Sequence, residues 1–417
     1  MQKVPVALLA GVVCCAFVPP VPAAEATRYA YIEKLLYSFC RQENCTDGFG
    51  PAAGLIDVHG VLYGTTVWGG DPDCVSFDGC GTVFSIDPGT GVETVLHPFA
   101  GGTRDGTFPA AGLIDIKGKL YGTTEGGGGD GCGGGGCGTV FVIDRKTGKE
   151  KVLYSFAGGT DGQQPEAGLL DVDGVLYGTT ELGGTGEFGT VFALDPATGV
   201  ETVLYSFAGG TDGANPVAGL IAVDGVLYGT TAVGGTYYGG TVFALDPGTG
   251  AETVLYSFSG GADGGNPVAG LVDVGGVLYG TTEYGGGTGC DSGCGTVFSL
   301  DPGTGTETVL HTFAGVPDGA GPVAGLIAVD GVLYGTTELG GSKIECRGRG
   351  GCGTVFSIDP ATGAEEVLYA FCGGRHSCNG IYPLAGLIDV HGRFYGTTGG
   401  GGSYIADGTV FSLKEKR

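Results

Sequence analysis

Apolar residues in this chain come in short bursts, either alternating with polar residues or running on for three to five positions. Each burst ends at Gly, Pro, Asp or Asn, and past the first two dozen residues none carries the 3.6-residue period of a helix. The bursts recur in a fixed order. Tyr-Gly-Thr-Thr begins at Tyr63, Tyr121, Tyr177, Tyr228, Tyr279, Tyr334 and Tyr395, with spacings of 58, 56, 51, 51, 55 and 61 residues. Gly-Thr-Val-Phe interleaves with it, beginning at Gly81, Gly138, Gly189, Gly240, Gly295, Gly353 and Gly408. An Ala-Gly-Leu segment precedes each Tyr-Gly-Thr-Thr, and a Leu-x-x-Phe segment follows most copies of Gly-Thr-Val-Phe.

One unit predicts four strands. Gly219 to Val223 is strand A, and Asp224-Gly225 is a two-residue hairpin turn that needs positive φ. Val226 to Thr231 is strand B, and a Gly-rich loop leads to strand C, Thr241 to Leu245. Asp246-Pro247-Gly248-Thr249-Gly250 is a turn with Pro set for its first bend, and Glu252 to Phe258 is strand D. Strands C and D read as apolar at nearly every position, as in Val191-Phe192-Ala193-Leu194 and Val203-Leu204-Tyr205. That pattern predicts sheets covered on both faces, the condition of a blade between two blades.

The chain ends supply the closure. The Asp-x-x-Thr-Gly turn before strand D appears at Asp87, Asp144, Asp195, Asp246, Asp301 and Asp359 and is missing from the seventh unit, which stops at strand C. A lone D-like strand, Lys34 to Phe39, stands at the other end. The expected fold is all-β: a seven-bladed propeller of four-stranded blades, its N-terminal strand completing the last blade so that no sheet edge stays open. A repeat architecture shares one continuous core, so residues 27–417 read as a single domain despite their length.

Residues 1–26 have the layout of a cleaved secretory signal: Lys3, an apolar run from Val4 to Val18, then a breaker region rich in small residues. Cleavage after Ala23 or Ala26 fits the small-residue rule, and Gly11-Val12-Val13 before Cys14 and Cys15 lacks the pattern that would direct lipidation. No other stretch is long and apolar enough to span a membrane. The expected location is secreted, periplasmic or extracellular. Gly and Pro, at 92 and 19 of 417 residues, read as turn punctuation because they keep the period. The net charge of −25 excludes a nucleic-acid partner, which needs a basic face, and suits a monomer kept soluble by its charge.

Twelve cysteines remain after the signal, in six close pairs: Cys40 with Cys45, Cys74 with Cys80, Cys132 with Cys137, Cys290 with Cys294, Cys346 with Cys352, and Cys372 with Cys378. In an exported chain they read as disulfides. Four pairs fall in B–C loops and two in D–A loops, which emerge on one face of a propeller, whereas the opposite face carries only tight turns.

Candidate chemistry gathers on that stapled face. Glu125, Glu181, Glu283 and Glu338 each follow a Tyr-Gly-Thr-Thr, and Asp47, Asp105, Asp161, Asp212, Asp263 and Asp318 each precede Gly in a D–A loop. A ring of carboxylates suits Ca²⁺, while an Asp-Gly pair also makes a turn unaided. Trp68, Phe188, Tyr237, Tyr238, Tyr284 and Tyr404 vary between units and offer stacking platforms for sugar rings. Asp57, Asp115, Asp171, Asp273 and Asp389 read as turn caps on the opposite face. The five histidines are scattered, at His59, His97, His311, His376 and His391, with His97 and His311 standing where other units have Tyr. No nucleophile elbow or phosphate loop is present, and no catalytic residue is assigned.

The Gly-Leu, Leu-Tyr-Gly-Thr-Thr, Gly-Gly and Gly-Thr-Val-Phe blocks, for example Gly168-Leu169, Leu176 to Thr180, Gly183-Gly184 and Gly189 to Phe192, make the chain resemble the GloVer (Gloeo/Verruco) tandem-repeat family of exported bacterial proteins. The resemblance implies an extracytoplasmic location, often with a C-terminal sorting or anchoring segment, from which this chain departs by ending at its last strand. It implies no activity and carries over no functional residue. The expected function is a non-catalytic binding module that uses the stapled face for a carbohydrate or a protein. The alternatives are a polysaccharide-active hydrolase or lyase and a ligand-free scaffold, which the fold alone does not separate.

Overall fold

The computed structural model describes residues 31–74, 76, 78–342, 346, 350–372, 378–402 and 407–416. The signal segment, with Cys14 and Cys15, and the residues His376 and Tyr404 lie outside the described residues. The described residues form seven four-stranded antiparallel sheets and one two-stranded ribbon. Blade 4 is typical: strand A is Ile221–Val223, B is Val226–Thr231, C is Thr241–Asp246 and D is Ala251–Ser257. The last blade is built from both chain ends. Tyr31–Ser38 pairs with Thr409–Glu415, which pairs with Arg393–Thr398 and then Ile388–Asp389. The N-terminal strand thus completes the seventh blade.

Each block of the repeat has a packing task. In Tyr-Gly-Thr-Thr, a Cβ on Gly229 would meet Phe243 at 2.6 Å and Leu220 at 2.8 Å, so only Gly lets strand B lie against strand C and its own Ala-Gly-Leu. The first Thr reaches across to the next blade, where its hydroxyl donates to the Ala carbonyl of Ala-Gly-Leu, as Thr230 does to Ala269 at 3.2 Å. The second Thr pairs with the Thr of Gly-Thr-Val-Phe, as Thr231 does with Thr241 at 2.8 Å. Blade seams are sealed by edge-to-face rings such as Phe207 on Phe243, with centroids 5.2 Å apart. The Gly of each Ala-Gly-Leu sits where neighbouring A strands approach most closely: a Cβ on Gly270 would lie 3.3 Å from the Gly219 carbonyl, and one on Gly54 would lie 3.5 Å from that of Gly386, closing the ring.

Strand C is buried, but strand D is only half-buried along most of its length, which corrects the expectation of two fully covered faces. Strand D is the outer edge of its sheet. Its continuous apolar run has another cause. Val191 faces Tyr205 and Phe192 faces Val203, so Leu204 is the extra residue of a β-bulge. A bulge resets the alternation, placing Val203, Leu204 and Tyr205 in succession. The same register shift recurs in strand D of every blade.

The A–B turns have positive φ at both central residues, 51° at Asp224 and 83° at Gly225, as a type I′ hairpin requires. Asp57, Asp115, Asp171 and Asp273 each accept from a backbone N–H three residues on and are the expected caps. All six cysteine pairs are bonded as expected. No helix among the described residues is long and apolar enough to cross a membrane.

Candidate functional site

The D–A loop acids are bound up in their own loops. Asp212 accepts from the Tyr205 hydroxyl at 3.0 Å and from the Ala208 N–H at 2.8 Å, and Asp161 does the same with Tyr154 and Ala157. Asp47 is fully buried and takes the Tyr37 hydroxyl and the Arg41 and Gln42 amides. Asp105, Asp263 and Asp318 are tied in the same way. Each of these carboxylates shapes its own loop.

The acids after Tyr-Gly-Thr-Thr behave differently, because they meet across blades. Glu181 of blade 3 is close enough to Glu125 of blade 2 to disfavour the charge of Glu125, and Glu166 stands with them. Glu166 is pushed up to about 8, first by burial and then by the charges of Glu181 and Glu125, and it hydrogen-bonds Glu181. Glu125 is raised chiefly by burial, against a hydrogen bond donated by the Gln164 amide at 3.3 Å. At this position the other six units carry Ala52, Ala110, Val217, Val268, Val323 and Leu384. Reading the motifs as repeats passed over Glu166; comparing the units column by column exposes it as the one carboxylate in an apolar column.

Beside this trio lies a cleft of about 330 Å³ lined by Thr107, Phe108, Glu125, Cys132, Gln163 and Gln164. Phe108 forms one wall and packs against Trp68 at a tilt of 55°, with centroids 4.8 Å apart, so that the aromatic surface extends onto blade 1. The Gly126–Gly127 strand pairs with Gly106–Thr107 to form the floor, and the Cys132–Cys137 disulfide closes the loop above it. The cleft therefore joins a π-face, two side-chain amides and a carboxylate.

The remaining expected residues are distributed around the face. Glu283 accepts from the Asn266 amide at 2.5 Å and from the Tyr284 hydroxyl, which it holds at about 12 with help from burial and the charge of Glu338. Blades 5 and 6 thus bring Glu283, Tyr284 and Glu338 together. Tyr237 and Tyr238 stand apart on blade 4, 63% and 78% exposed. Tyr237 borders an open groove of about 540 Å³ with Asp212, Glu252 and Tyr256. Phe188 lies against Gly209 with its ring partly exposed.

The profile of the Gloeobacter/Verrucomicrobia repeat matches residues 27–222 and 209–411. No curated protein matches the chain at a significant level. Among solved structures, the extracellular domain of a protein described as a hybrid two component system from B. thetaiotaomicron aligns with a TM-score of 0.58 at 10% identity, covering 92% of this chain and 40% of that one. A second structure of such an extracellular domain, described as that of a one component system, gives 0.56 at 11% identity over 92% and 39%. This chain thus spans about two fifths of those proteins, and the likeness concerns the propeller fold.

Proposed function

Since the chain belongs to the Gloeobacter/Verrucomicrobia repeat family, whose signature residues are absorbed by packing, we propose that its function lies in the residues that break the repeat, and that it is an exported module binding a glycan in the Phe108–Glu125 cleft. The supporting observation is the composition of that cleft and its border: Phe108, the amides of Gln163 and Gln164 and the Glu125 carboxylate line it, Trp68 packs against Phe108, and Glu166 and Glu181 stand beside Glu125. Aromatic faces stack on the C–H face of a sugar ring, and amides and carboxylates satisfy its hydroxyls. The charge of −25 selects against polyanions and favours neutral or amino sugars. The disulfides fix the loops before binding, which lowers the ordering cost, and they accord with an oxidising, extracytoplasmic setting.

The test is a glycan-array and calorimetric screen of the mature chain, with and without Ca²⁺, alongside Trp68→Ala and Glu166→Val. Val is the residue that blades 4, 5 and 6 carry at this position, so the second variant keeps the fold. The reading expects a neutral or amino glycan to bind the parent and both variants to weaken it at least tenfold. A parent with no glycan affinity, or variants that bind as the parent does, would overturn it. A second reading has its own observation: Glu166, held protonated near neutrality beside Glu181, is the arrangement of an acid–base carboxylate pair. Release of shortened glycans in the same screen would move the assignment to a hydrolase or lyase.

A further inference from the structure

The blade seams hold a second repeated constellation on the outer wall. In blades 1 to 6 the Glu near the start of strand D lies beside the Asp of the preceding D–A loop and the Tyr or His of the preceding strand D, and in blade 7 Glu33 meets Asn379 and Tyr369 instead. The seams are Tyr205–Asp212–Glu252 and its equivalents, with Tyr replaced by His at two of them. In every blade this Glu leaves one buried oxygen without a hydrogen-bond partner: Glu33, Glu93, Glu150, Glu201, Glu252, Glu307 and Glu365. Two carboxylates facing each other at a half-buried seam carry excess negative charge. The ion pair of Arg145 with Asp115 lies at another place.

At the tyrosine seams a phenol hydroxyl fills the gap between the two acids. At the seams of blades 1 with 2 and 5 with 6, the side chain in that place is an imidazole. The ligand atoms of His97, Asp105 and Glu150 lie within 4.8 Å of one another, as do those of His311, Asp318 and Glu365. His311 Nε2 is 3.3 Å from both oxygens of Asp318, and His97 Nε2 is 3.5 and 3.4 Å from those of Asp105. A good imidazole–carboxylate hydrogen bond is shorter and chooses one oxygen. Two donors on a tetrahedral centre with bonds of about 2.1 Å sit about 3.4 Å apart, the separation found here.

The surrounding groups hold these donors in place, as second partners do around metal ligands. Asp105 is oriented by the Ala100 and Gly106 N–H groups at 2.9 and 2.8 Å, and Asp318 by the Ala314 N–H at 2.8 Å. The rings of His97 and His311 stand edge-on to Phe99 and Phe313, each at 4.8 Å. The unpartnered oxygens of Glu150 and Glu365 supply the remaining protein donor. From this geometry we infer that His97–Asp105–Glu150 and His311–Asp318–Glu365 are two divalent transition-metal sites, each clamping one blade to the next. One imidazole and two carboxylates suit Zn²⁺ and its neighbours in the first row, whereas Ca²⁺ takes an all-oxygen shell. The third group of potential donors, Cys346, Cys352 and Cys372, is committed to disulfides.

Two substitutions test the sites without endangering the fold, because Tyr is what the other five seams carry: His97→Tyr and His311→Tyr. The disulfide-intact mature chain, stripped with chelator, is dialysed at pH 7.5 against micromolar zinc chloride with calcium chloride in excess, and bound zinc is counted by mass spectrometry. Two zinc ions per parent chain are expected, one in each single variant and none in the double variant; zinc should raise the melting midpoint of the parent and leave that of the double variant unmoved. A parent holding fewer than two zinc ions, displacement by calcium, or a double variant holding as much zinc as the parent overturns the assignment. Glycan binding by the Phe108–Glu125 cleft is independent of the result.

Discussion

Thr397 donates its hydroxyl to the backbone carbonyl of Ala53 at 3.1 Å, across the joint where the ring closes and 344 residues apart in sequence. The same bond joins every other pair of neighbouring blades, from Thr65 with Ala111 to Thr336 with Ala385. Only here does it tie segments from opposite ends of the chain, because blade 7 takes its strand D from the N-terminal Tyr31–Ser38. Thr397→Val keeps the shape and leaves the Ala53 carbonyl buried and unpaired, a loss of about 1–3 kcal/mol. A lower denaturation midpoint is expected than for the parent. Opening at the joint should also raise hydrogen exchange in Tyr31–Ser38. Thr230→Val, inside the ring, should cost similar stability without loosening that strand.

Two glycines of blade 4 separate crowding from backbone strain. A Cβ on Gly229 would meet Phe243 at 2.6 Å and Leu220 at 2.8 Å, whereas Gly225 has φ +83° and nothing within 4 Å of its missing Cβ. Gly225→Ala carries only the left-handed penalty, about 1 kcal/mol. Gly229→Ala forces side chains out of a close-packed core and should cost about 1–3 kcal/mol or more. Chemical denaturation of the two variants side by side is the check. Equal losses would mean that the Gly in Tyr-Gly-Thr-Thr is there for its backbone freedom.

The architecture was legible because its signals are local and repeated. Asp246-Pro247-Gly248 names a turn by its own chemistry, and the missing seventh turn with the lone strand at Lys34 implies the closure. The bulge at Leu204 was not legible, since a run of three apolar residues reads the same whether both faces are covered or the register slips. The candidate site was half legible. Glu125 and Glu181 stood out by motif, while Glu166 lies outside the motifs, is marked in the sequence only by its apolar column, and owes its meaning to the fold that brings it to the other two. The His97–Asp105–Glu150 group was hidden for a simpler reason: its members come from two blades, and the seam that joins them depends on how each strand D leans on the one before.

The seam carboxylates predict an acid-shifted stability optimum. Glu93, Glu150, Glu201, Glu252, Glu307 and Glu365 are each raised from 4.5 to about 7, first by burial and then by the neighbouring D–A loop Asp. An acid raised on folding binds more protons in the folded state, so its contribution is fully present below about pH 4.5 and is lost as the pH rises through 7. The turn caps Asp87, Asp144, Asp195, Asp246, Asp301 and Asp359 are lowered below 3.8, by backbone N–H bonds from their own turns and, foremost at Asp144, the Thr147 hydroxyl. Their contribution has the opposite sign and is lost as the pH falls through the lowered values. Melting midpoints of the metal-free chain should therefore peak between about pH 4 and 5 and decline toward pH 8. Glu252→Gln should raise the midpoint at pH 8 and leave it nearly unchanged at pH 5, while Glu43→Gln, on an exposed 3-10 turn, changes neither. A midpoint that climbs steadily from pH 5 to pH 8 would contradict the raised seam acids.

The disulfide at Cys132–Cys137 spans five residues, so it removes little freedom from the unfolded chain. Its effect should appear in the loop instead. The segment from Gly126 to Gly136 is Gly throughout except Asp130 and Cys132, and an unconstrained chain of that composition samples many conformations. Replacing both cysteines with Ser should lower global stability by no more than about 2 kcal/mol. Limited proteolysis with a broad-specificity protease should nevertheless cut within 126–136 at least tenfold faster, because opening there no longer requires breaking a covalent bond. The loop also roofs the cleft that holds Phe108, Glu125 and Gln164. Weaker glycan affinity, arising as faster dissociation, should accompany the faster cleavage. If global stability falls by several kcal/mol while the loop stays resistant, the disulfide is supporting the blade core and not the binding face.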